Sequence, residues 1–446
     1  MRILHFLIAM AFGLGMAIAA GSTMAAPVLM ISIDGLRPAD VSDAAARGLK
    51  VPTLTNLERT GAYADTVQGV LPTLTYPSHT TLLTGVAPAR HGIANNLTFD
   101  PFNKNQGGWY WYAEDIKVPT LWDAAHAAGL KVANVHWPVS VAAHGIDLNL
   151  PQLWRTGAAD DRKLNRALAT PGLTDRLEKA LGPYADGIDE SVEGDERRAL
   201  FAERLMAEDK PGFATVYLTG LDHVQHLFGP DTREAHAALE RIDAAVGRLI
   251  ATARKAQPGL VVVIVSDHGF APVTHDVNLY AAFVQAGLIR VDLAKREISG
   301  WDAEPWFAGG SAAVVLARPT DAALRVRVEA LLDQLAAKPE LGIERWIKSD
   351  KIGEMGGAAD AQYFLNFKIG YEMAKDPFAP LVGPGAYKGM HGYFPGAPEM
   401  ASTFIVSGPG VKAHGALGRV DMRDIAPTVA GLLGASLPTA EGHRLF

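Results

Sequence analysis

Three short apolar runs narrow the folds open to this chain more than any other feature. They are "PVLMISI" from Pro27 to Ile33, "FATVYL" from Phe213, and "GLVVVIV" from Gly259. None alternates polar with apolar residues. A strand with one wet face alternates, whereas a continuous run needs cover on both faces, as in a parallel sheet. Helical patterns lie between the runs. "VPTLTNLERTG" starts near Pro52, and "VPTLWDAAHAAGLKVANVHW" reads as a helix to Gly129 and then a strand. "DTREAHAALERIDAAVGRLIATARKAQ" carries apolar residues at helical spacing. Strands alternating with helices imply an α/β fold with a mostly parallel central sheet and helices on both faces. With 446 residues, 48% of them apolar, a large core is available.

The texture changes from about Val277 to Gly389. "GGSAAVVLARPTD" and "AALRVRVEALLDQLAAK" are followed by loop sequence rich in glycine and alanine. Residues 277–389 are therefore expected to form a smaller inserted lobe. At the N-terminus, Arg2 precedes an apolar run from Phe6 to Ala20 and then small residues. Residues 1–25 read as an export signal, because the apolar run is too short for a comfortable membrane span. The expectation is a bacterial periplasmic or secreted protein whose mature chain, 26–446, has no membrane span. The chain has no cysteine, which excludes disulfides and thiolate metal sites. A formal charge of −7 argues against stable nucleic-acid binding through a basic surface.

Each apolar run ends near an acid: Asp34, Asp222 and Asp267. In such sheets ligands bind outside the carboxyl ends of the strands. Histidines stand beside these acids. His226 lies four residues after Asp222 in "DHVQH", His268 adjoins Asp267 in "SDHG", and His391 lies between glycines in "GMHGYFP". A lone strand-end acid is most often a helix cap, and a lone histidine is most often not a ligand. Gathered on one rim, three carboxylates and three imidazoles suit zinc, with manganese, iron or cobalt as alternatives.

The ordered blocks "SIDGLRP", "PTLTYPSHTTLLTGVAPARHGIANN", "DHVQHLFGP", "SDHGF" and "MHGYFP" resemble the nucleotide pyrophosphatase/phosphodiesterase family of the alkaline phosphatase superfamily. The resemblance covers nearly all of Pro27 to Gly410. It implies an alkaline-phosphatase-like catalytic domain with two zinc ions. Asp222, His226 and His391 would hold one, and Asp34, Asp267 and His268 the other together with Thr75. It also implies that Thr75 is the nucleophile, forming a phospho-threonine intermediate, and that Asn96 donates to the phosphoryl oxygen. The residues agree in outline. Thr75 precedes Pro77 and a helical "SHTTLLTG", so it sits where free backbone N–H groups face an anion. Thr73 is its rival, and Asn95 is the neighbour of Asn96 in what is otherwise ordinary turn chemistry.

Three aspartates and two divalent cations sum to one positive charge, which a threonine alkoxide cancels. A singly charged diester is tolerable there, whereas a monoester dianion leaves an excess negative charge. "VHWPVSVAAHG", from Val135, resembles the "WPGS"-type stretch of the diesterases and has no Lys-x-Arg pair. The expected substrate is thus a small phosphodiester or nucleotide, with Tyr76, Trp154 and Tyr217 as candidate stacking surfaces. A phosphomonoesterase or phosphonate hydrolase on the same metals is the alternative. An arylsulfatase is disfavoured because the chain lacks cysteine. A binding protein of the same fold would be expected to have lost ligands.

Overall fold

The computed structural model describes residues 25–105, 108–153, 159–185, 189–374, 376, 378–411 and 414–446. The proposed export signal, up to residue 24, lies outside them. Among the described residues no helix is long and apolar enough to cross a membrane.

The chain builds an eight-stranded sheet. Its five neighbouring strands Val261–Val265, Val28–Ile33, Phe213–Leu218, Val132–Val135 and Leu148–Leu150 run parallel. Phe404–Ser407 pairs antiparallel beside Val261–Val265 and leads to two short edge strands. The continuous apolar runs have the cause read from the sequence. Leu29, Ile31 and Ile33 pack into one core, while Val28 and Met30 pack into another on the opposite face. Helices Val192–Glu208 and Arg233–Ala256 cover the first face, through Phe201, Leu205, Ile242 and Leu249. Helices Thr75–Thr84, Leu121–Ala127 and Ile425–Leu432 cover the second, through Leu82, Trp122 and Val429.

Between residues 271 and 390 the chain makes smaller sheets. Four antiparallel strands stand in the order Ala303–Ala308, Ser311–Leu316, Tyr363–Phe367, Ile343–Lys348. They share an apolar core with helix Ala322–Ala336. Strand Ala271–Val277 follows directly from the Asp267 loop and pairs with Gly370–Met373, Val382–Pro384 and Gly389–Met390. That pairing returns the chain to the rim of the main sheet just before His391.

Candidate metal centre and active site

The three strands that precede the acids are neighbours in the sheet, so their carboxyl ends lie side by side. Asp34 directly follows Val28–Ile33, and Asp267 follows Val261–Val265 after one serine. Asp222 sits in the first turn of helix Gly220–Phe228, which continues from Phe213–Leu218. Its spacing to His226 puts both side chains on one helical face. Gly35 has φ +69 and its N–H donates to Asp267 Oδ1 at 3.3 Å. A Cβ there would meet Gln225 Nε2 at 2.8 Å, so the rim is closed tightly around glycine.

The structure gathers the six residues into two groups: Asp222, His226 and His391, and Asp34, Asp267 and His268. In the first, His226 Nε2 lies 3.4 Å from Asp222 Oδ2, and His391 Nε2 lies 3.7 Å from Asp222 Oδ1. In the second, His268 Nε2 lies 3.3 Å from Asp34 Oδ1 and 3.1 Å from Asp267 Oδ2. Atoms bound about 2.0–2.1 Å from a tetrahedral zinc stand about 3.3 Å from one another. The observed separations match that spacing. The two groups adjoin, because the rings of His268 and His391 stack at 3.6 Å between centroids.

Each imidazole is anchored through its other nitrogen. Nδ1 of His226 faces Gly389 O at 3.0 Å, that of His391 faces Thr73 O at 3.1 Å, and that of His268 faces Gly269 O at 3.0 Å. A carbonyl only accepts, so each Nδ1 carries a proton and Nε2 is the atom left to meet a cation. Among the described residues Asp34 Oδ1, Asp222 Oδ1 and Asp267 Oδ2 are buried and find no hydrogen-bond partner. Among the described residues the ion-pair partners of these acids are histidines alone. Such oxygens are costly to bury unless a cation meets them. The residues therefore fit two divalent cations.

Charge in the metal-free cluster divides accordingly. Burial, then Asp222 and Asp267, pushes the Asp34 carboxyl well above its ordinary value. Burial also pushes Asp222 up to about 8, against the pull of His268. Burial acts to raise Asp267 too, but His268 and His79 outweigh it and hold this carboxyl below its ordinary range.

Thr75 opens helix Thr75–Thr84, one position further into the helix than the residue-before-the-start expected. Its Oγ1 lies 3.5 Å from His268 Nε2, beside the second group. Thr73 is placed differently. Its hydroxyl is fully buried and donates to Tyr393 O at 2.6 Å, while its carbonyl anchors His391. Thr80 and Thr84 donate to carbonyls four residues back, as helix-wall hydroxyls do. The two asparagines also separate. Asn95 Oδ1 accepts from the N–H of Asn96 at 2.7 Å, and its amide donates to Phe307 O. Asn96 Oδ1 instead accepts from the N–H of Tyr76 at 2.9 Å, which fixes its amide beside Thr75.

Two of the stacking surfaces are corrected. The Tyr76 side chain is wholly buried, edge-on to Trp109 at 5.2 Å and packed with Ile93 and Val139, so it offers no face to a leaving group. Tyr217 is buried too, and its hydroxyl donates to Asp34 Oδ2. It supports a candidate ligand rather than touching a base. Trp154 lies outside the described residues. Sequence reasoning passed over His79, which lies one helical turn beyond Thr75. Its Nδ1 sits 2.8 Å from Thr75 O and 3.6 Å from Asp267 Oδ2, and its Nε2 reaches Ser32 Oγ. The spacing of four from Thr75 was the available signal. Asp195 was passed over as well. This buried acid accepts from the N–H groups of Thr219 and Gly220 at 2.9 and 2.7 Å, and so caps the helix that carries Asp222 and His226.

Residues 28–394 match the type I phosphodiesterase / nucleotide pyrophosphatase family. The chain belongs to that family, whose named members are hydrolases acting on phosphoric ester bonds. It is 27% identical over 254 residues to human ectonucleotide pyrophosphatase/phosphodiesterase family member 1, a match covering 54% of this chain and 23% of the relative. A Schizosaccharomyces pombe protein described as a pyrophosphatase/phosphodiesterase is 28% identical over 249 residues, 55% of this chain and 45% of that one. The match thus spans less than half the length of either relative. Among solved structures, the fold is shared with murine ectonucleotide pyrophosphatase/phosphodiesterase 5, in an inactive threonine-to-alanine variant complexed with AMP. That likeness has a TM-score of 0.64 at 18% identity, covering 94% of this chain and 97% of the other.

Proposed function

We propose that this chain hydrolyses phosphodiester or pyrophosphate bonds at a centre of two divalent cations, zinc by its donor set or a substitute such as manganese. Asp222, His226 and His391 would hold one ion, and Asp34, Asp267 and His268 the other. The observation that carries this reading is the convergence of three anchored imidazoles on three carboxylate oxygens that lack any hydrogen bond. The ions, when bound, neutralise the buried carboxylates, withdraw charge from the phosphoryl oxygens and lower the pKa of coordinated hydroxyls.

The chain's own residues supply the rest. Thr75 Oγ1 attacks phosphorus, forming an O–P bond to threonine as the bond to the leaving oxygen breaks. Water then cleaves the phospho-threonine and restores the hydroxyl. Asn96, held by the Tyr76 N–H, presents its amide to a phosphoryl oxygen. The threonine-to-alanine change described as inactive in the murine neighbour supports a threonine nucleophile, and the AMP in that complex supports a nucleotide substrate. Among the described residues Asp34, Asp222 and Asp267 pair with no lysine or arginine, which favours a singly charged diester over a monoester dianion. We also propose export after removal of residues 1–25, on the strength of the Arg2 start and the apolar run.

The test is a rate panel on metal-loaded protein of known metal content. Diester hydrolysis should exceed monoester hydrolysis in kcat/KM by at least roughly a hundredfold. About two divalent ions per chain should be found, and their removal by chelator should abolish the activity. Full activity in metal-free protein would overturn the centre. Preference for the monoester would move the chain to the phosphomonoesterase reading.

A further inference from the structure

A cavity of about 540 Å³ lies between the loop that follows Asn96 and strand Ala303–Ala308. None of the six candidate metal ligands lines it. Two buried polar atoms of residues that do line it lack a partner among the described residues. Glu304 is only 4% exposed and its Oε2 makes no hydrogen bond; Trp306 is 7% exposed and its indole N–H is likewise unpaired. Orphaned buried groups of this kind are rare, and here one accepts while the other donates. Aromatic residues build the walls, with Phe99 edge-on to Trp306 at 5.6 Å.

The titratable residues that line the cavity with Glu304 come from several elements. Asp100 enters from the loop, Glu297 and Arg296 from the hairpin Ile289–Trp301, and Asp376 from beyond the lobe strands, with Tyr280 on the neighbouring helix. Arg296 is the one cation among these described lining residues. It sits 3.8 Å from Asp376 and stacks on Phe378 at 4.6 Å. Burial, with Asp100 beside it, pushes the Glu304 carboxyl up to about 8. A cationic guest would draw it back to the ionised form. Acid against aromatic walls is the chemistry that holds an organic ammonium. The indole N–H adds a requirement for an acceptor on the same molecule.

We propose that this cavity binds a small organic ammonium that also carries an oxygen acceptor, with the ammonium at Glu304 and the acceptor at the Trp306 indole. The test is calorimetric titration of the whole chain with 2-amino-1-phenylethanol, 2-phenylethylamine and 1-phenylethanol. The amino alcohol should saturate one site per chain and bind at least roughly tenfold more tightly than the neutral alcohol. Glu304→Gln should remove that margin. Trp306→Phe should weaken the amino alcohol by about three- to tenfold while leaving 2-phenylethylamine unchanged. Both variants should keep the diester activity of the unaltered chain, which also reports that they fold. Equal affinity for amine and alcohol, or undiminished ammonium binding in Glu304→Gln, overturns the proposal. So does ammonium binding that Asp222→Asn abolishes, because that would place the ammonium at the metal centre. Should Glu304→Gln fail to fold, the ligand series on the unaltered chain and Trp306→Phe still decide.

Discussion

Asp195 and the rim acids are all buried carboxylates close to one another in the fold, yet they are furnished in opposite ways. Both oxygens of Asp195 are occupied: Oδ1 by Thr219 N–H and by Arg198 at 2.9 Å, and Oδ2 by Gly220 N–H. Asp34, Asp222 and Asp267 each keep one buried oxygen without a donor. Asp195 is satisfied inside the protein and needs nothing from outside, as expected of a charge that serves structure. The rim acids keep their open oxygens among imidazole Nε2 atoms, whose rings are anchored through Nδ1. Burial alone therefore does not mark a site. What marks it is burial together with hydrogen-bonding capacity that the protein declines to fill.

This contrast predicts that the two kinds of residue fail differently. Thr75→Ala should lower kcat by on the order of 10⁴-fold or more while metal content and stability are retained, because only the nucleophile is gone. Comparable loss in Thr73→Ala would mean that the nucleophile has been misplaced by two residues. Asp195→Ala should instead destabilise the fold by about 3–5 kcal/mol in urea unfolding, since Arg198 is left buried and unpaired. Loss of activity in that variant should follow the loss of metal ligand geometry on helix Gly220–Phe228, and excess metal should recover part of it. Asn96→Ala should fall between, with kcat lowered by roughly 10²- to 10³-fold and stability little changed. Asn95→Ala should disturb the turn more than the chemistry, so equal kcat effects at both positions would assign both asparagines to the turn.

Much of this arrangement was legible because parallel strands expose their ends in a fixed way. An apolar run buried on both faces announces the sheet, and an acid at its carboxyl end announces the rim. Thr75 and Asn96 needed the family's ordered blocks as well, since a threonine before a helix and an asparagine pair are ordinary local chemistry. The residues that surround the candidate ligands were harder to read. Tyr217 alternates with Val216 and Leu218 in a run where every side chain is buried, so its direction toward Asp34 depends on the register that pairs it with Ser32. Asp195 stands in "VEGDERR", which has the composition of a solvated helix start, and only the packing of two helices turns it inward. Tyr76 adjoins the nucleophile in sequence, but helix geometry turns its ring into the Trp109 cluster. Adjacency along the chain is poor evidence of adjacency at a site.

The same contrast extends to pH. In chelator-stripped protein, burial raises Asp222 from the ordinary 3.8 to about 8 and raises Asp34 in the same direction. An acid whose pKa is higher in the folded chain holds more protons there than when unfolded. Stability therefore falls as pH rises from the ordinary carboxyl range toward about 8, by at most about 1.4 kcal/mol per pH unit for each such group. Glu304, also raised to about 8, adds the same sign whether or not metal is bound. Buried His79 and His391, held below their ordinary 6.5, add the opposite sign only below that pH, so the informative quantity is the difference between metal-free and metal-loaded protein in urea midpoint at pH 6.5 and at pH 8. Metal should remove the decline that Asp222 and Asp34 cause, because bound cations favour the ionised carboxylates. Asp222→Asn should make the metal-free decline shallower, leaving the part owed to Asp34 and Glu304. A metal-free curve that rises through this window would mean the rim oxygens are satisfied within the protein after all, and the distinction from Asp195 would collapse.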